Sequence, residues 1–295
     1  RRPGMLSPVA RIAIIGGGNI GEALLAGLLQ SGRQVKDLVV AEANSARAAQ
    51  LAEKYSVRVT DVADAAENAA YVIVAVKPDA VEGVVETLAD AAAGADSSSV
   101  EQVVVSVAAG VPTAFYEAKL PAGAPVVRVM PNTPMLVGAG ITALSRGRYA
   151  NEAQLAEVAE IFSAVGAVLT VPEKQMDAVT AVSGSGPAYF FLMVEAVVDA
   201  GVAAGLPRAV ATELATQTMA GSAAMLLNRM SESGTGSTAG PLDTSAAELR
   251  ASVTSPGGTT AAGLRELERG GLRSAVASAV EAAKTRSEQL RITSE

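Results

Sequence analysis

The segment RIAIIGGGNIGEALLAGLLQ, residues 11–30, decides the fold of this 295-residue chain. An apolar run ends in three glycines, and leucines at helical spacing follow. Gly16, Gly18 and Gly21 have the G-x-G-x-x-G spacing of a strand-to-helix turn that binds a dinucleotide. The first glycine permits the tight bend, the second lets the backbone approach a pyrophosphate, and the third allows close packing. The dinucleotide-binding residues predicted in this turn are Gly16, Gly18, Asn19, Ile20 and Gly21.

The alternation of strands and helices continues through the first 171 residues. Short runs rich in Val and Ile, each bounded by turn residues, lie at 9–15, 37–41, 71–76, 103–107, 126–130 and 168–171. Segments with helical spacing, such as 21–30 and 46–55, separate several of these runs. The pattern predicts an α/β protein, with a parallel sheet covered by helices on both faces. We assign residues 9–171 to a Rossmann-type NAD(P)-binding domain.

The chain after residue 171 carries helical signals only. Helices are predicted at 187–204, at 207–229, between the glycine pairs at 257–258 and 270–271, and at 273–290. We therefore predict an all-helical substrate and dimerisation domain over residues 172–295. Residues 231–245, rich in Ser, Gly and Thr, are expected to form a flexible loop between two helices. An inert insertion explains this loop more simply than a lid over a site.

The first of these helices, residues 187–204, is apolar on nearly all sides. Its length is close to that of a membrane span, but Glu195 and Asp199 in its second half make insertion costly. We therefore predict no membrane association and a helix that is buried on most sides. Because a helical domain of this size offers little depth, we expect a homodimer or larger oligomer with this domain at its interface. The alternative is the core helix of a monomer.

The composition excludes several classes of chemistry. The chain has no Cys, His or Trp, so it cannot form a Ser-His-Asp triad, a cysteine nucleophile, a disulfide or a Cys/His metal site. A carboxylate-held magnesium or calcium site stays open in principle, but we predict no metal. A net charge of −7 without a basic cluster argues against nucleic acid as a partner. The first residues lack the apolar run of a signal peptide, so a cytoplasmic enzyme is expected.

Glu42 lies at the end of the second predicted strand, 21 residues after Gly21. An acidic side chain at this position hydrogen-bonds the adenosine ribose of NAD and repels the 2′-phosphate of NADP. Arg47 is close enough in sequence to compensate for such a phosphate, so the pattern favours NADH over NADPH only slightly. The alternative is a solvated surface glutamate.

Further candidates follow other predicted strands, at the edge where an open parallel sheet places its ligands. The cofactor-binding residues predicted there are Ala75, Val76, Lys77, Pro78, Ala108, Ala109, Gly110 and Asn132. Small side chains at 108–110 would let a nicotinamide ring approach the backbone. Asn132 sits in a rigid turn between two prolines. The alternatives are a solvated lysine at position 77 and a simple turn at 131–134.

Two glycine-rich segments in the second domain are candidates for binding a carboxylate. SGSGP at 183–187 and TSPGGTT at 254–260 each open a predicted helix and offer free N–H groups and hydroxyls. Ordinary helix capping by Ser or Thr is the alternative. Capping needs one hydroxyl, whereas the second segment has four, so a bound anion explains that segment better.

Together these motifs resemble the pyrroline-5-carboxylate reductase family, whose members catalyse the last step of proline biosynthesis. The motifs are GGGNIG at 16–21, VKP at 76–78, MPNTP at 130–134, AVSGSGPAY at 181–189, DAGVAAGLPR at 199–208, SPGGTT at 255–260 and ELERGGLR at 266–273. The last four are specific to the family. The resemblance covers the chain from about residue 11 to residue 290.

The resemblance implies reduction of L-1-pyrroline-5-carboxylate to L-proline with NADPH or NADH, by dimers that often assemble further into decamers. It implies that the SPGGTT turn binds the substrate carboxylate. The hydroxyl of the last threonine, Thr260, would then reach the ring nitrogen as the catalytic group. The predicted substrate-binding residues are Ser183, Ser255, Gly257, Gly258, Thr259 and Thr260.

Two positions depart from the family pattern, and three rival functions stay open. Residues 231–245 are longer than the family's usual loop, and Glu42 is not the small or hydroxyl residue of a strongly NADPH-preferring member. A β-hydroxyacid dehydrogenase would need a lysine on the first helix of the second domain, and residues 187–204 contain none. The other rivals are an F420-linked reductase and a non-catalytic dinucleotide sensor. The turn at 255–260 argues against the sensor.

Overall fold

The computed structural model of the protein describes residues 10–94, 101–232 and 245–292. These residues form two compact units. One comprises the chain up to Pro187 together with the segment from Val280 onward, and the other is Ala188–Ala279. This division differs from the boundary predicted at residue 172, because residues after 172 pack into the first unit, where Met176 and Asp177 are buried. Residues 233–244, the centre of the predicted loop, lie outside the described residues.

The first unit contains an eight-stranded sheet. Its strands are β1 Ile12–Ile15, β2 Leu38–Ala41, β3 Arg58–Thr60, β4 Tyr71–Val74, β5 Val103–Ser106, β6 Val126–Met130, β7 Gly140–Arg146 and β8 Gly166–Thr170. Their order across the sheet is β3-β2-β1-β4-β5-β6-β7-β8. All neighbours are parallel except β6 and β7. The first six strands have the doubly wound order, which confirms the predicted α/β class.

Two of these strands, β3 and β7, are missing from the sequence predictions, and the antiparallel pairing of β6 with β7 is an exception to the predicted parallel sheet. β3 has only three residues and begins with an exposed arginine, so it lacks an apolar run. β7 begins with glycine and ends with Ser145 and Arg146. It forms because it pairs with β6 on one side and β8 on the other. Pairing on both sides therefore decides the conformation of β7 more than its own residues do.

Helices surround the sheet and make up the second unit. In the described residues they are α1 Asn19–Gln30, α2 Ser45–Tyr55, α3 Val62–Ala66, α4 Val81–Ala93, α5 Thr113–Lys119, α6 Glu152–Ser163, α7 Met176–Val179, α8 Gly186–Ala203, α9 Arg208–Glu232, α10 Ser245–Ser252, α11 Thr259–Arg269 and α12 Leu272–Gln289. The four helices predicted after residue 186 are confirmed as α8, α9, α11 and α12. α10 is missing from the sequence predictions.

The core of the first unit lies on both faces of the sheet. Alternate residues of β1 point to opposite faces, so Ile12 and Ile14 join one buried cluster while Ala13 and Ile15 join the other. All four are at most 1% exposed. Burial on both faces explains why the strand is a continuous apolar run rather than an alternating one.

Helix α8 is not buried on most sides within one chain, so the burial predicted for it requires a second chain, as the expected oligomer would supply. Val198 is buried, but Phe190, Phe191 and Leu192 are each more than 60% exposed. The chain therefore does not use α8 as the core helix of a monomer. Among the described residues, one helical stretch, Glu173–Ala203, is long and apolar enough to cross a membrane by length and composition alone.

Candidate cofactor and substrate sites

The carboxyl ends of β1, β4 and β5 meet at one edge of the sheet in the first unit. There the Ala75 N–H donates to the Ile15 carbonyl at 2.8 Å, and the Val107 N–H donates to the Val74 carbonyl at 3.0 Å. The predicted cofactor segments at 16–21, 75–78 and 108–110 follow these strands and therefore share this edge. The strand order also reverses between β1 and β4, which is where doubly wound sheets bind ligands.

Two glycines of the predicted turn are required by the protein itself. Gly16 has a φ of +107°, and a Cβ there would lie 2.8 Å from the Ala75 carbonyl oxygen. A Cβ on Gly21 would clash with the Gly16 carbonyl oxygen, so this glycine permits close packing of α1 against the turn. Gly18 differs, because its φ is −68° and a Cβ there would meet nothing within 4 Å.

The open space at Gly18 fits the pyrophosphate of a dinucleotide. Among the described residues nothing requires glycine at this position, so the missing side chain leaves room for a group outside the chain. Gly18 is also the N-cap of α1 and provides no side-chain cap. The first amides of α1, on exposed Asn19 and half-buried Ile20, therefore have no side-chain cap and can bind an anion. The turn thus fits a bound NAD(P) molecule.

Glu42 follows β2, and its carboxylate is held against the glycine turn. Its Oε2 accepts the Gly17 N–H at 2.9 Å, and its Oε1 accepts the Asn44 N–H at 2.8 Å. The side chain is therefore not the free, solvated glutamate of the alternative interpretation. Each carboxylate oxygen can accept more than one hydrogen bond, so Glu42 can also bind a ribose hydroxyl.

Gly17, a free position in the motif, is a site residue that sequence reasoning misses. A Cβ on Gly17 would clash with the Leu51 side chain of α2 and lie 3.1 Å from Glu42 Oε2. Its N–H binds Glu42, and its carbonyl accepts Nε of Arg47 at 2.8 Å. The available signal is the unbroken run of three glycines, since the motif requires only the first and third of them.

The remaining cofactor candidates differ in accessibility. Lys77 is exposed and directly precedes the helical turn Pro78–Ala80. Half-buried positions are Ala75 and Val76, whereas Ala108 is buried and Ala109 exposed. Pro78 is exposed as well, so Lys77, Pro78 and Ala109 are the exposed residues among these candidates.

Gly110 packs against the C-terminal segment instead of facing open space. Its φ is +76°, and its carbonyl accepts the Ile292 N–H at 3.0 Å. A Cβ on Gly110 would lie 2.8 Å from the Leu290 carbonyl oxygen. This contact with residues 290–292 explains why position 110 is a glycine. The close approach of a nicotinamide ring, which the sequence predicts for residues 108–110, is not needed to explain it.

Asn132 and Ser183, predicted for cofactor and substrate respectively, are joined in the structure. Asn132 Nδ2 donates to the Ser183 carbonyl at 3.1 Å, and its Oδ1 accepts the Ile141 N–H at 2.9 Å. The Ser183 hydroxyl donates to the Val179 carbonyl at 3.0 Å. Asn132 therefore ties the turn after β6 to residues 179–183 and is more than part of a simple turn.

The segment at 183–187 leads into α8 as predicted, but its N–H groups are not all free, as the sequence suggests. Thr180–Gly184 form a π-helical turn that continues α7, and the Ser185 N–H already donates to the Thr180 carbonyl at 2.8 Å. A Cβ on Gly184 would lie 2.9 Å from Cε of Met130, so this glycine packs against the end of the Met130 side chain. Single π-helical turns are frequent at functional sites.

The SPGGTT turn lies in the second unit, at the N-terminus of α11. Gly258 is the N-cap, and no side chain among the described residues caps this helix. Thr259 and Thr260 are its first two residues, and both are exposed. Ordinary capping by Ser or Thr is therefore not the role of this segment, and the first amides of α11 are open to an anion. Gly257 has a φ of +69°, which shapes the bend before the helix.

A buried polar network in the first unit is absent from the sequence predictions. Arg128 of β6 and Asp177 of α7 are each 3% exposed. Arg128 pairs with Glu173 at 3.4 Å, while Asp177 accepts the Ser287 hydroxyl at 2.8 Å and pairs with Arg291. Burial alone raises the pKa of Asp177, but these two donors and the nearby arginine charges hold it below its ordinary value. The network fixes the end of α12 in the first unit.

Known proteins match this chain along nearly its whole length. A curated pyrroline-5-carboxylate reductase from Mycobacterium tuberculosis (strain CDC 1551 / Oshkosh) is 66% identical over 296 residues, which cover 99% of this chain and 100% of the relative. The chain belongs to the pyrroline-5-carboxylate reductase family. A reductase of the same name from Arabidopsis thaliana is 38% identical over 95% of this chain and 95% of the relative. The predicted family resemblance is confirmed.

Family models and solved structures of pyrroline-5-carboxylate reductases agree with this assignment. The model described as pyrroline-5-carboxylate reductase dimerisation matches residues 173–290, and one described as NADP oxidoreductase coenzyme F420-dependent matches residues 11–110. The reductase structure from Coxiella burnetii has a TM-score of 0.85 and 35% identity, covering 97% of this chain and 100% of its own. The Plasmodium falciparum enzyme, with NADP bound, has a TM-score of 0.78 and 28% identity, covering 96% of this chain and 98% of its own.

Proposed function

We propose that this protein reduces L-1-pyrroline-5-carboxylate to L-proline, the last step of proline biosynthesis, with NADPH or NADH as the hydride donor. The observation that carries the proposal is 66% identity, over 99% of the chain, to a curated protein named pyrroline-5-carboxylate reductase. The matched length includes the glycine turn of the first unit and the SPGGTT turn of the second. The enzyme is thus an oxidoreductase that acts on a C=N bond.

The proposed cofactor site is the sheet edge at β1, β4 and β5. The first amides of α1 bind the pyrophosphate, and the missing side chain of Gly18 gives it room. Lys77, Ala109 and Asn132 lie along the ends of the neighbouring strands, beyond the turn. When bound, NAD(P)H supplies a hydride for the carbon of the substrate's C=N bond. The NADP bound in the Plasmodium falciparum structure supports a nicotinamide cofactor.

Glu42 and Arg47 are the proposed determinants of the choice between NADH and NADPH. The Glu42 carboxylate can accept the ribose 2′-hydroxyl of NADH, whereas the Arg47 guanidinium favours a 2′-phosphate. The two side chains bind the N–H and the carbonyl of the same residue, Gly17. The two side chains therefore favour different cofactors, although both lie beside Gly17.

The proposed substrate site includes the SPGGTT turn in the second unit. The open amides of Thr259 and Thr260, at the positive end of α11, bind the substrate carboxylate. The Thr260 hydroxyl orients the imine proton or relays a water to the ring nitrogen, and is the catalytic group. Ser255, Gly257 and Gly258 form the bend that presents these groups. Ser183, in the first unit, stays a predicted substrate-binding residue.

This chemistry does not require the side chains that the chain lacks. The sequence has no His and no Cys. A protonated imine is already electrophilic, so the protein mainly has to hold two reactants in the correct orientation. An anchored carboxylate and one positioned hydroxyl provide that orientation.

We propose that the second unit forms a homodimer, and that dimers assemble further into a decamer. The match of residues 173–290 to a dimerisation model supports the dimer. The exposed apolar residues of α8 support it as well, because a partner subunit would cover them. This proposed contact between subunits explains why α8 is apolar without requiring that it lie in a membrane. A cytoplasmic location is proposed from the composition.

The test of this function is turnover by the purified full-length chain. The protein is mixed with L-1-pyrroline-5-carboxylate and NADH or NADPH, and the loss of nicotinamide absorbance is followed. We expect consumption with at least one cofactor, and proline formed in equal amount. The control lacks substrate and should show no consumption. Binding of the nucleotides without consumption contradicts the proposal and favours a dinucleotide sensor.

A further inference from the structure

The Arg47 guanidinium is held by two groups of the glycine turn and α1. Its Nε donates to the Gly17 carbonyl at 2.8 Å, and its Nη2 forms an ion pair with Glu22 of α1. Its backbone is fixed as well, because the Arg47 N–H donates to Oδ1 of Asn44, the N-cap of α2. The side chain therefore has a defined position beside the turn.

Glu22 collects three donors in this region. Besides Arg47, its Oε1 accepts Nζ of Lys54 at 2.9 Å and the hydroxyl of Tyr55 at 2.8 Å. The hydrogen bond from Lys54 is the largest cause that lowers the pKa of Glu22 to about 2, with smaller contributions from the other two donors and an opposing one from burial. Glu22 therefore stays ionised near neutral pH and neutralises part of the positive charge on α2.

The cluster of Glu22, Arg47, Lys54 and Tyr55 lies next to the place proposed for the 2′-position of the adenosine ribose, where NAD and NADP differ. Glu42 binds the Gly17 N–H and Arg47 binds the Gly17 carbonyl, so both lie next to the same residue. A residue at the end of β2, such as Glu42, meets the ribose 2′-position of the adenosine half. Glu22, Arg47 and Lys54 also line a surface hollow together with Gln50, Leu51 and Glu53. A 2′-phosphate at this position would compete with Glu22 for the Arg47 guanidinium.

We infer that Glu22 determines cofactor specificity by holding Arg47 away from a 2′-phosphate. The inference deepens the proposed function and rests on it. Because arginine binds both carboxylates and phosphates through paired N–H groups, the two acceptors are direct competitors. Removing the Glu22 charge should free Arg47 for NADP without changing the contacts available to NAD.

The experiment measures binding of NAD⁺ and NADP⁺ to the purified full-length protein by titration calorimetry, without substrate. Glu22→Gln is expected to tighten NADP⁺ binding by up to about fivefold, the range for partly exposed ion pairs, and to leave NAD⁺ within about twofold. The double variant E22Q/R47M should lose this gain. Glu53→Gln is the matched control, because it removes the same charge from the same hollow without a bond to Arg47. Its ratio of affinities should equal that of the wild type.

Three outcomes overturn the inference. The first is a ratio of NADP⁺ to NAD⁺ affinity that is unchanged in E22Q. The second is a shift of this ratio in E53Q as large as that in E22Q, and the third is tighter NADP⁺ binding that persists in E22Q/R47M. Should E22Q unfold at a lower temperature, Glu22→Asp keeps the charge but shortens the side chain, and a shift in the same direction is expected. Wild-type protein that binds neither nucleotide contradicts the proposed function itself. Wild-type protein that binds both, with a ratio unmoved by E22Q, contradicts only the role of Glu22.

Discussion

β1 in the first unit and α8 in the second are both apolar along nearly their whole length, but their surroundings differ. The residues of β1 are at most 1% exposed and have apolar clusters on both faces. On α8, Phe190, Phe191 and Leu192 are each more than 60% exposed. The first unit thus completes its core within one chain, whereas the second leaves an apolar surface exposed, which we propose a second copy of the chain covers. An apolar run in a sequence therefore predicts that the segment is buried, but not whether the residues that bury it come from the same chain or from a second one.

A charge placed on α8 should have the largest effect. Leu192→Glu is expected to weaken self-association by about 100-fold, because an apolar contact is lost and a carboxylate has to be buried. Sedimentation velocity across a concentration series measures this change. Val35→Glu is the matched control, since Val35 is an exposed apolar residue of the first unit, and its association should equal that of the wild type. Unchanged association in L192E would mean that α8 lies outside the interface.

Loss of the Thr260 hydroxyl should come next in size. Thr260→Val is expected to lower kcat/KM for pyrroline-5-carboxylate by about 100-fold, since a positioned proton-transfer group contributes roughly that much. The affinity for NADP⁺, measured separately, should hardly change. Thr212→Val serves as the control, because that exposed hydroxyl only donates to the Arg208 carbonyl of its own helix. Full turnover in T260V would remove Thr260 from the catalytic role.

Two alanine substitutions in the glycine turn should separate an effect on nucleotide binding from an effect on stability. Gly18→Ala should weaken NAD⁺ and NADP⁺ binding by about tenfold, since its Cβ enters the space proposed for the pyrophosphate. Its melting temperature should stay at the wild-type value, because the Cβ meets nothing within 4 Å. Gly21→Ala should instead lower the melting temperature, because its Cβ clashes with Gly16. If G18A binds both nucleotides normally, the pyrophosphate lies elsewhere.

The buried Asp177 should give the smallest effect, and one that depends on pH. Its pKa is held below the ordinary value of about 3.9, so its ionised form stabilises the fold above that pH and the gain is lost as pH falls. Asp177→Asn should therefore lower the free energy of unfolding by about 1 kcal/mol at pH 7, with a difference that narrows toward pH 3. Urea denaturation measures this. Exposed Asp90→Asn is the control. A difference for D177N that is equal at both pH values would contradict this role.

The first unit could be predicted from sequence to the extent that its signals are local. The turn at 16–21 combines a strand, three glycines and a helix within a short segment, so both its shape and its ligand follow from spacing. β7 could not be predicted in the same way, because its sequence GITALSR mixes polar and apolar residues and its strand conformation depends on pairing with β6 and β8. The exposure of α8 in a single chain could be predicted only indirectly, through the expected oligomer. A helix buried in the core of one chain would have an equally apolar sequence.

The candidate site shows the same limit. The role of Gly18 follows from the motif, but that of Gly17 depends on Leu51, Glu42 and Arg47, which reach it from β2 and α2. Gly110 is glycine because the end of the chain packs against it. Such contacts join residues far apart in sequence, and no local pattern encodes them.

The most direct measurement of the proposed function follows a label from the cofactor into the product. NADPH or NADH carrying deuterium at both C4 positions is incubated with the wild-type protein and L-1-pyrroline-5-carboxylate, and the proline formed is analysed by mass spectrometry and NMR. We expect proline with one deuterium at C5, the carbon of the former C=N bond. Proline without the label, or no proline with either cofactor, would contradict hydride transfer to the imine and with it the proposed function.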